Sequence, residues 1–433
     1  MVLSTKIPVA QFLVKAIIII LLFSGFITNF LPASFKGLST AIIDFLFVAV
    51  LIHLLIHLIY GYFHTRRVDK TFFKIASIWL FLFFCTVLKL SFLDNNPIVE
   101  RILGLRNNLI YAVLIIYIPF LIKIEKRLYV IYNLLLTIGL FLVVFSLLQF
   151  SLASKLPESL MVVRGESNFS FYGTSIIRPT ALIGNTIIFA SFTIILFSAY
   201  LAKYLYKPKR KDLFLIALIA TANIFTFTRA SLVGMVLVFI VTFFLRYGRF
   251  TVSFIRNIAI IFVTIIISAL MLGYIYQDSF IIRRLTGQEA STQGSTNEHI
   301  NQIIHSVKYL KQNYIAGAGV GSQGASGAME DKIITDGYWF QLFLENGIVL
   351  GLFYFIFYSY CIIYAIRSFY SSDNIWIKQL CITFIASSAY FFFASFLNSA
   401  FAGRPNFIVY WLLFGLIISQ NIIDKKSNGF SSN

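Results

Sequence analysis

Apolar runs of about 20 residues recur along the whole sequence, and they constrain the fold more than any other feature. A helix of that length crosses the roughly 30 Å of hydrocarbon in a bilayer. The runs are continuously apolar, whereas the strands of a membrane barrel alternate over about ten residues. The sequence therefore predicts an all-α polytopic membrane protein with about 12 transmembrane helices. The predicted spans are residues 9–30, 40–62, 72–92, 106–122, 129–150, 180–202, 213–228, 230–245, 252–275, 347–366, 379–399 and 405–423.

The composition agrees with a membrane protein and argues against a soluble one. Hydrophobic residues occupy 59% of the 433 positions and charged residues only 12%, against about 25% charged residues in soluble domains. Cys85, Cys361 and Cys381 all lie inside apolar runs, so we expect packing residues rather than a disulfide framework or metal ligands. We therefore treat residues 1–433 as a single transmembrane domain.

The net charge of +18 is mainly a signal of membrane topology. If the N-terminus is cytoplasmic, the short loops on that side hold more than half of the 35 basic residues, which is the bias that orients membrane proteins. No long soluble segment carries a basic stripe with interleaved aromatic residues, so nucleic acid is not an expected partner. The prediction is a multi-pass protein with both termini in the cytoplasm and two long external loops, residues 151–179 and 276–346.

The larger external loop begins with a pattern typical of an amphipathic helix. Ser295 and Glu298 have the spacing of a capping box. Apolar residues then follow at helical spacing, which predicts a helix lying at the membrane surface or over the mouth of the bundle. These apolar residues are Ile300, Ile303, Ile304, Val307 and Leu310.

Two further motifs follow in the same loop. The glycine-rich run Gly317–Gly324 could present backbone N–H groups to a phosphate, with a flexible turn as the favoured alternative. It lacks the Gly-Lys-Ser/Thr end of a P-loop, so ATP binding is not expected. The segment Thr335–Gly347 predicts a short helix that re-enters or caps the membrane, with Asp336 at its N-terminus, either as a plain N-cap or as a functional carboxylate.

Four arginines lie at or near the external ends of predicted spans: Arg106, Arg178, Arg229 and Arg404. Snorkelling or contact with lipid headgroups would explain any one of them. Arg229, however, is confined to a turn of two or three residues between two spans. Its guanidinium must find an anion, either a carboxylate of the protein or a phosphate of a ligand, and we favour the phosphate.

The histidines give a weaker signal. His53 and His57 have the i, i+4 spacing that places two side chains on one helix face, where they could ligate a metal. We favour a packed polar pair, because the chain has only five histidines and no clustered carboxylates. Asp44, near the external end of the same span, is expected to pair with an arginine instead.

These motifs together resemble the O-antigen polymerase (Wzy) and O-antigen ligase superfamily of bacterial envelope glycosyltransferases. The residues that carry the resemblance are Arg178 to Asn185, Thr226 to Gly234, and Val307 to Gly347, within a similarity that extends from about Arg106 to Asn406. The ligase branch usually carries His-Asn where this chain has Asp336-Gly337, which favours a polymerase.

The resemblance implies a helical fold similar to that of GT-C glycosyltransferases, in the bacterial cytoplasmic (inner) membrane, with the active site facing the periplasm or the outside. It implies a polymerase of O-antigen, capsule or exopolysaccharide repeat units. Such an enzyme transfers a glycan from polyprenyl diphosphate to the end sugar of another lipid-linked unit. A ligase that delivers glycan to lipid A core or to protein, and a flippase for the same substrate, are the alternatives. A chain-length regulator protein is a further candidate partner.

On this hypothesis the diphosphate is bound by arginines and the acceptor hydroxyl is deprotonated by a carboxylate. The expected catalytic residues are Asp336, Arg229 and Arg178. No cofactor or metal is expected, because the external loops lack a tight Asp-x-Asp arrangement. The expected substrate-binding residues are Arg106, Arg404, Arg283, Arg284, Tyr338, Glu298 and Glu345.

Overall fold

The computed structural model describes residues 7–32, 35, 37–63, 70–152, 155–157, 160–161, 177–248, 290–323 and 335–430. Within these residues the chain forms α-helices joined mostly by short turns. The helices are α1 (Ile7–Leu22), α2 (Ser24–Phe30), α3 (Leu38–Phe63), α4 (Lys70–Phe92), α5 (Ile98–Asn108), α6 (Leu114–Leu121), α7 (Glu125–Ser151), α8 (Thr186–Tyr206), α9 (Arg210–Phe225), α10 (Arg229–Tyr247), α11 (Ala290–Gln312), α12 (Tyr338–Ser371), α13 (Ile375–Ala394) and α14 (Arg404–Phe430).

The predicted polytopic helical fold is confirmed. In the described part of the chain, nine helical segments are long and apolar enough to cross a membrane, and α1 with α2 makes a tenth that is bent by 63°. Helix α9 occupies the predicted seventh span, but its 16 residues cover only about 24 Å. The predicted span at 252–275 lies outside the described residues.

Two spans are interrupted on the side that was predicted to face outward. Helices α5 and α6 form one span, which begins at Ile98 rather than at Arg106 and contains a 3-10 turn over Ile110–Val113. In α12, Gly347 has φ 73° and ψ 175°, which separates a short first part of the helix from the long remainder. A Cβ at Gly347 would lie 2.0 Å from the Ile315 carbonyl oxygen, so only glycine fits there. The predicted short helix before residue 347 is therefore present.

Helices α14, α8 and α13 form the centre of the bundle, whereas α3 and α10 are the most exposed spans. Polar side chains join the central helices: Ser191 of α8 and Tyr390 of α13 share a hydrogen bond of 2.7 Å. Gly234 of α10 packs directly on the Tyr390 ring, since a Cβ there would lie 2.2 Å from a ring carbon. Small residues of this kind let membrane helices approach closely. This contact holds α10, and the residue at its start, against the core.

The connections predicted for opposite sides of the membrane lie at opposite ends of the bundle. At the predicted cytoplasmic end, Arg246 of α10 donates to the Leu205 carbonyl of α8 at 3.3 Å. Asn421 of α14 donates to the Tyr364 hydroxyl of α12 at 3.1 Å at the same end. At the opposite end, the helix ends that were predicted to face outward surround one cavity.

Candidate functional site

A cavity of about 1300 Å³ opens between the helix ends that were predicted to face outward. Its wall is formed by residues of α3, α5, α8, α10, α11 and α12 and by the turn between α13 and α14. Most of the predicted site residues meet there, although they come from five separate segments of the sequence. Those in the wall are Arg106, Arg178, Arg229, Arg404, Asp336, Tyr338 and Glu345.

The guanidinium of Arg178 is buried and holds the turn between α9 and α10. Its Nε–H donates to the Thr226 carbonyl at 2.9 Å, and its Nη2–H donates to Thr228 Oγ1 at 3.1 Å. Thr228 is the N-cap of α10, but its side chain makes no capping hydrogen bond with the helix. The first N–H groups of a helix carry the positive end of its dipole. The start of α10 therefore lies beside the cavity without a side-chain cap.

Arg229 is the first residue of α10, and its side chain is exposed in the cavity wall. Among the residues that the structure describes, none forms an ion pair or a hydrogen bond with its guanidinium. The sequence allowed a carboxylate of the protein as the partner of Arg229, and none pairs with it in the part of the chain that the structure describes. Arg229 is the cavity cation most available to an anionic ligand.

Arg106 is held by helix α3. Its Nη1 lies 2.7 Å from Asp44 Oδ2, and its Nε–H donates to Asn107 Oδ1 at 3.2 Å. The Tyr111 hydroxyl donates to the other oxygen of Asp44 at 2.7 Å. The expectation that Asp44 pairs with an arginine is confirmed, and this pair neutralises part of the positive charge at this side of the cavity.

Arg404, the first residue of α14, is held by the same face of α3. Its guanidinium donates to the hydroxyl of Thr40, which lies one turn before Asp44 on that helix. Thr40 is neutral, and no ion pair to Arg404 occurs among the described residues. The cavity therefore has an excess of positive charge, which favours an anionic ligand with more than one negative charge.

The described part of the glycine-rich run, residues 317–323, forms turns that are packed against the protein rather than an open phosphate cradle. The backbone N–H of Val320 donates to Asp94 Oδ2 at 2.9 Å, and that of Gln323 donates to Glu345 Oε1 at 3.2 Å. Carboxylates of the chain thus occupy two of the N–H groups that a phosphate would need. The described residues 317–323 form turns, as the favoured interpretation expected, and the distant carboxylates that pack them against the protein were not predicted from sequence.

Close backbone contact explains the glycines of this run. Gly321 has φ +79°, and a Cβ there would lie 2.0 Å from the Glu100 carbonyl oxygen of α5. An added Cβ on Gly104 of α5 would in turn lie 2.3 Å from the Gly321 nitrogen. Asp94 is buried and also paired with Lys89. The glycine run, which follows α11 in the chain, therefore packs directly against α5, the helix that carries Arg106.

Glu345 and Tyr338 line the cavity, but both are engaged within the protein. Glu345 Oε2 accepts from Asn108 Nδ2 at 2.8 Å, while its Oε1 accepts from the backbone of Gln323. The Tyr338 hydroxyl lies 2.8 Å from that of Tyr358. Their contacts give both residues a clear role in holding α12 in place, and their predicted role in substrate binding stays a prediction.

Asp336 lies in the cavity wall two residues before α12 begins. The N-cap of α12 is Gly337, and the helix has no side-chain cap, so Asp336 is not the plain N-cap that the sequence allowed. The backbone N–H of Asp336 donates to Gln302 Oε1 of α11 at 3.1 Å. The residue that carries this carboxylate is thus bound through its backbone to α11.

Helix α11 differs from its sequence-based description at its start. It extends over Ala290–Gln312, so Ser295 and Glu298 lie inside the helix and the predicted capping box is wrong. The residues before Ser295 continue the helix, which leaves no N-terminal N–H groups there for a box to cap. Glu298 is exposed and does not line the cavity. Arg283 and Arg284 lie outside the described residues.

The apolar face predicted for α11 is present. Ile300, Ile304 and Val307 are 43–60% exposed, whereas Ser306 is completely buried against the protein. Ile300 and Ile303 reach the cavity wall. An exposed apolar stripe on a helix that also covers a cavity agrees with the predicted position at the membrane surface over the bundle mouth.

The two histidines of α3 form a polar pair, as expected. The rings of His53 and His57 are 4.7 Å apart, and His53 Nδ1 lies 2.9 Å from the Tyr117 hydroxyl. No group of three or more histidine, cysteine or acidic side chains comes together within the described residues. The favoured interpretation of a packed pair agrees with these contacts.

Sequence reasoning missed several residues that organise the cavity. Asp94 and Asn108 hold the glycine run and Glu345, and Gln302 holds Asp336. None of them belongs to a recognisable motif. Thr226 and Thr228 belong to a quoted motif, but their partner Arg178 lies about 50 residues earlier, at a separation that no local pattern reveals.

Comparison with known proteins agrees with the motifs. A family model described as O-antigen ligase matches residues 214–355, from within α9 through α10 and α11 into α12. The match contains Arg229, Asp336 and Glu345. No curated protein matches the chain. Over about a third of its length the chain therefore matches the O-antigen ligase family model, which is consistent with the resemblance to the O-antigen polymerase and O-antigen ligase superfamily that its sequence showed.

Proposed function

We propose that the protein polymerises lipid-linked oligosaccharide repeat units of a bacterial surface polysaccharide. The donor is a glycan on polyprenyl diphosphate, and the acceptor is the end sugar of a second lipid-linked unit. The reaction occurs in the cavity, on the outer face of the cytoplasmic membrane. Its products are a lengthened lipid-linked glycan and a free polyprenyl diphosphate.

The observation that carries this proposal is the group of four arginines around one cavity. Arg229 has no partner among the described residues, and Arg404 is bound only to a neutral hydroxyl. The uncapped start of α10 adds a helix dipole to the same wall. A diphosphate carries several negative charges and accepts forked hydrogen bonds from guanidinium groups. The site therefore suits a diphosphate better than a neutral sugar alone.

The chemistry follows from this arrangement. The acceptor hydroxyl oxygen forms a bond to the anomeric carbon of the donor glycan, and the bond from that carbon to the diphosphate oxygen breaks. The electron pair leaves with the diphosphate, where charge builds up and the arginines stabilise it. The proton of the acceptor hydroxyl passes to the carboxylate of Asp336. Because guanidinium groups supply the positive charge, the transfer is proposed to need no metal ion.

A ligase is the second candidate, because the matching family model carries that description. A ligase would use the same donor and would deliver the finished glycan to lipid A core or to a protein. The acidic residue Asp336, where the ligase branch usually has histidine, favours the polymerase. A purified preparation supplied with one lipid-linked repeat unit separates the two activities. A product still on the polyprenyl carrier supports the polymerase, and a product only on an added second acceptor supports the ligase.

The site is tested with variants expressed at wild-type level in cells, followed by electrophoresis of the surface glycan. Arg229→Ala and Asp336→Asn are expected to remove long chains, and Arg229→Lys, which keeps the charge but loses the fork, is expected to shorten them. Lys155→Ala is the matched control, since Lys155 is an exposed cation near the predicted outer end of α7 and does not line the cavity. Long chains in both Arg229→Ala and Asp336→Asn would contradict the proposed site.

A further inference from the structure

The connection that carries Asp336 is fastened to helix α11 by two side chains of that helix. The backbone N–H of Asp336 donates to Gln302 Oε1 at 3.1 Å. The hydroxyls of Ser306 and Thr335 lie 2.7 Å apart. Gln302 and Ser306 are one helical turn apart, so they present adjacent contacts to adjacent residues of the connection.

The same connection is fastened from two other segments. The N–H of Thr335 donates to Gln323 Oε1 at 3.1 Å, and Gln341 Nε2 of α12 donates to the Thr335 carbonyl. Gln323 itself is bound to Glu345 through its backbone. Both backbone groups and the hydroxyl of Thr335, together with the N–H of Asp336, are therefore hydrogen-bonded by side chains.

The hydrogen bonds around Thr335 are almost completely removed from water, whereas the bond from Asp336 to Gln302 is part-buried at the cavity wall. Ser306 is fully buried, Thr335 is 1% exposed, and Gln323 and Gln341 are each 6% exposed. Buried polar networks of this kind are rigid when all their members are satisfied. The network thus holds Thr335, and through Thr335 it restricts where the chain at Asp336 can lie before α12 begins.

We infer that Gln302 is a positioning residue for Asp336: by holding the backbone N–H of Asp336, it fixes the place in the cavity at which the carboxylate meets the acceptor hydroxyl. The inference rests on the proposed function, in which Asp336 is the base. Gln302 is the member of the network that contacts residue 336 itself, and it also lines the cavity. Small displacements of a reacting group cost large factors in rate.

A consequence is that α11 belongs to the active site rather than only covering it. Its inner face sets the geometry of the base, while Ile304 and Val307 are exposed. Loss of the Gln302 contact should therefore slow the chemical step and leave acceptor binding unchanged. A residue with a merely structural role would instead reduce the amount of folded protein without changing the rate per folded molecule.

The test uses the full-length protein in lipid nanodiscs with a lipid-linked repeat unit as donor and acceptor. Gln302→Met keeps the length of the side chain but removes the strong acceptor, whereas Gln302→Glu retains an acceptor oxygen. Asn301→Met is the matched control, because Asn301 is the exposed neighbour on α11 and does not line the cavity. Each variant is measured for kcat and KM, and for amide hydrogen exchange of residues 335–337.

Gln302→Met is expected to lower kcat about ten-fold with KM unchanged, which is the effect of about one hydrogen bond. It should also speed exchange of the Asp336 amide. Gln302→Glu should retain most of the rate, and Asn301→Met should match the wild type. In an Asp336→Asn background, Gln302→Met should cause no further loss, because its effect passes through Asp336.

A wild-type kcat in Gln302→Met, or the same fold loss in both backgrounds, would overturn the inference. If Asp336→Asn loses activity while Gln302→Met does not, the positioning role fails and the proposed base stands. If Asp336→Asn keeps wild-type activity, the base of the proposed function fails, and the catalytic role of Gln302 fails with it.

Discussion

Arg178 and Arg229 should differ sharply in how much each contributes to the free energy of unfolding. Arg178 is 6% exposed and donates two hydrogen bonds to the turn between α9 and α10. Arg229 is exposed at the end of that turn and is not engaged by any described residue. We therefore expect Arg178→Ala to destabilise the fold and to remove activity, and Arg229→Ala to remove activity only.

The size of the effect follows from the two acceptors that Arg178→Ala leaves behind. The Thr226 carbonyl and the Thr228 hydroxyl belong to residues that are 0% and 7% exposed. A buried acceptor without a donor costs about 1–3 kcal/mol. The Thr228 hydroxyl lies 3.5 Å from the Thr226 carbonyl and can partly replace the lost donor. The expected loss in free energy of unfolding is therefore about 2–4 kcal/mol for Arg178→Ala, and within about 0.5 kcal/mol for Arg229→Ala.

The measurement is reversible unfolding of each purified variant in mixed micelles of a mild detergent and SDS, followed by circular dichroism. Activity is measured on the same preparations below the unfolding transition. An Arg178→Ala variant as stable as the wild type would refute the assignment of Arg178 to the turn. An Arg229→Ala variant destabilised by as much as Arg178→Ala would show that Arg229 is a structural residue.

Three further predictions concern other parts of the cavity. Gly321→Ala is expected to prevent folding, because the new Cβ would lie 2.0 Å from the Glu100 carbonyl oxygen. Size-exclusion chromatography of a fluorescent fusion tests this, with Gly37→Ala as the control because nothing lies within 4 Å of a Cβ there. Asp44→Asn is expected to tighten binding of pyrophosphate about two- to five-fold, the worth of one partly exposed ion pair, since it frees the charge of Arg106; weaker binding in a calorimetric titration would be the opposite result. Transfer by the purified protein is expected to persist in EDTA, and a loss that Mg²⁺ restores would contradict the proposed chemistry.

The spans and the position of the arginines could be predicted because each depends on local sequence. A run of about 20 apolar residues has one stable arrangement in a membrane, whatever surrounds it. Arg106, Arg178, Arg229 and Arg404 each lie at or near the end of a predicted span that the charge bias assigns to the same side. Helix ends on one side of a compact bundle are neighbours, so convergence follows without any knowledge of individual contacts.

The packing of the glycine run could not be predicted from sequence, because it depends on residues far away in the chain. Three of its glycines have positive φ, which is compatible with a flexible turn, a phosphate cradle or a packed connection. The packed conformation is stabilised by Asp94 and Glu345, which accept hydrogen bonds from N–H groups of the run. Asp94 lies more than 200 residues before the run, and nothing near it in the sequence marks it as a partner.

The prediction that α11 begins near Ser295 was wrong for a different reason. The pattern from Ser295 to Glu298 fits a capping box, but a box is informative only where a helix begins. The structure continues the helix back to Ala290, so the same residues are interior positions. Local spacing predicted the amphipathic face correctly because that face depends only on helical periodicity. It could not predict the boundary, which depends on the preceding chain.

The two motifs that contain Arg178 and Arg229 are one structural unit, although they are about 50 residues apart. Thr228 stands at the N-cap of α10, where a threonine ordinarily satisfies a helix N–H with its own side chain. Here its hydroxyl accepts from Arg178, and no capping bond is made. Arg178 thus binds the threonine hydroxyl that could otherwise cap α10, the helix that begins at Arg229. Among the described residues, this arrangement leaves the Arg229 guanidinium without a partner and the start of α10 without a side-chain cap, on the same wall of the cavity. That combination suits the anionic leaving group of the proposed reaction.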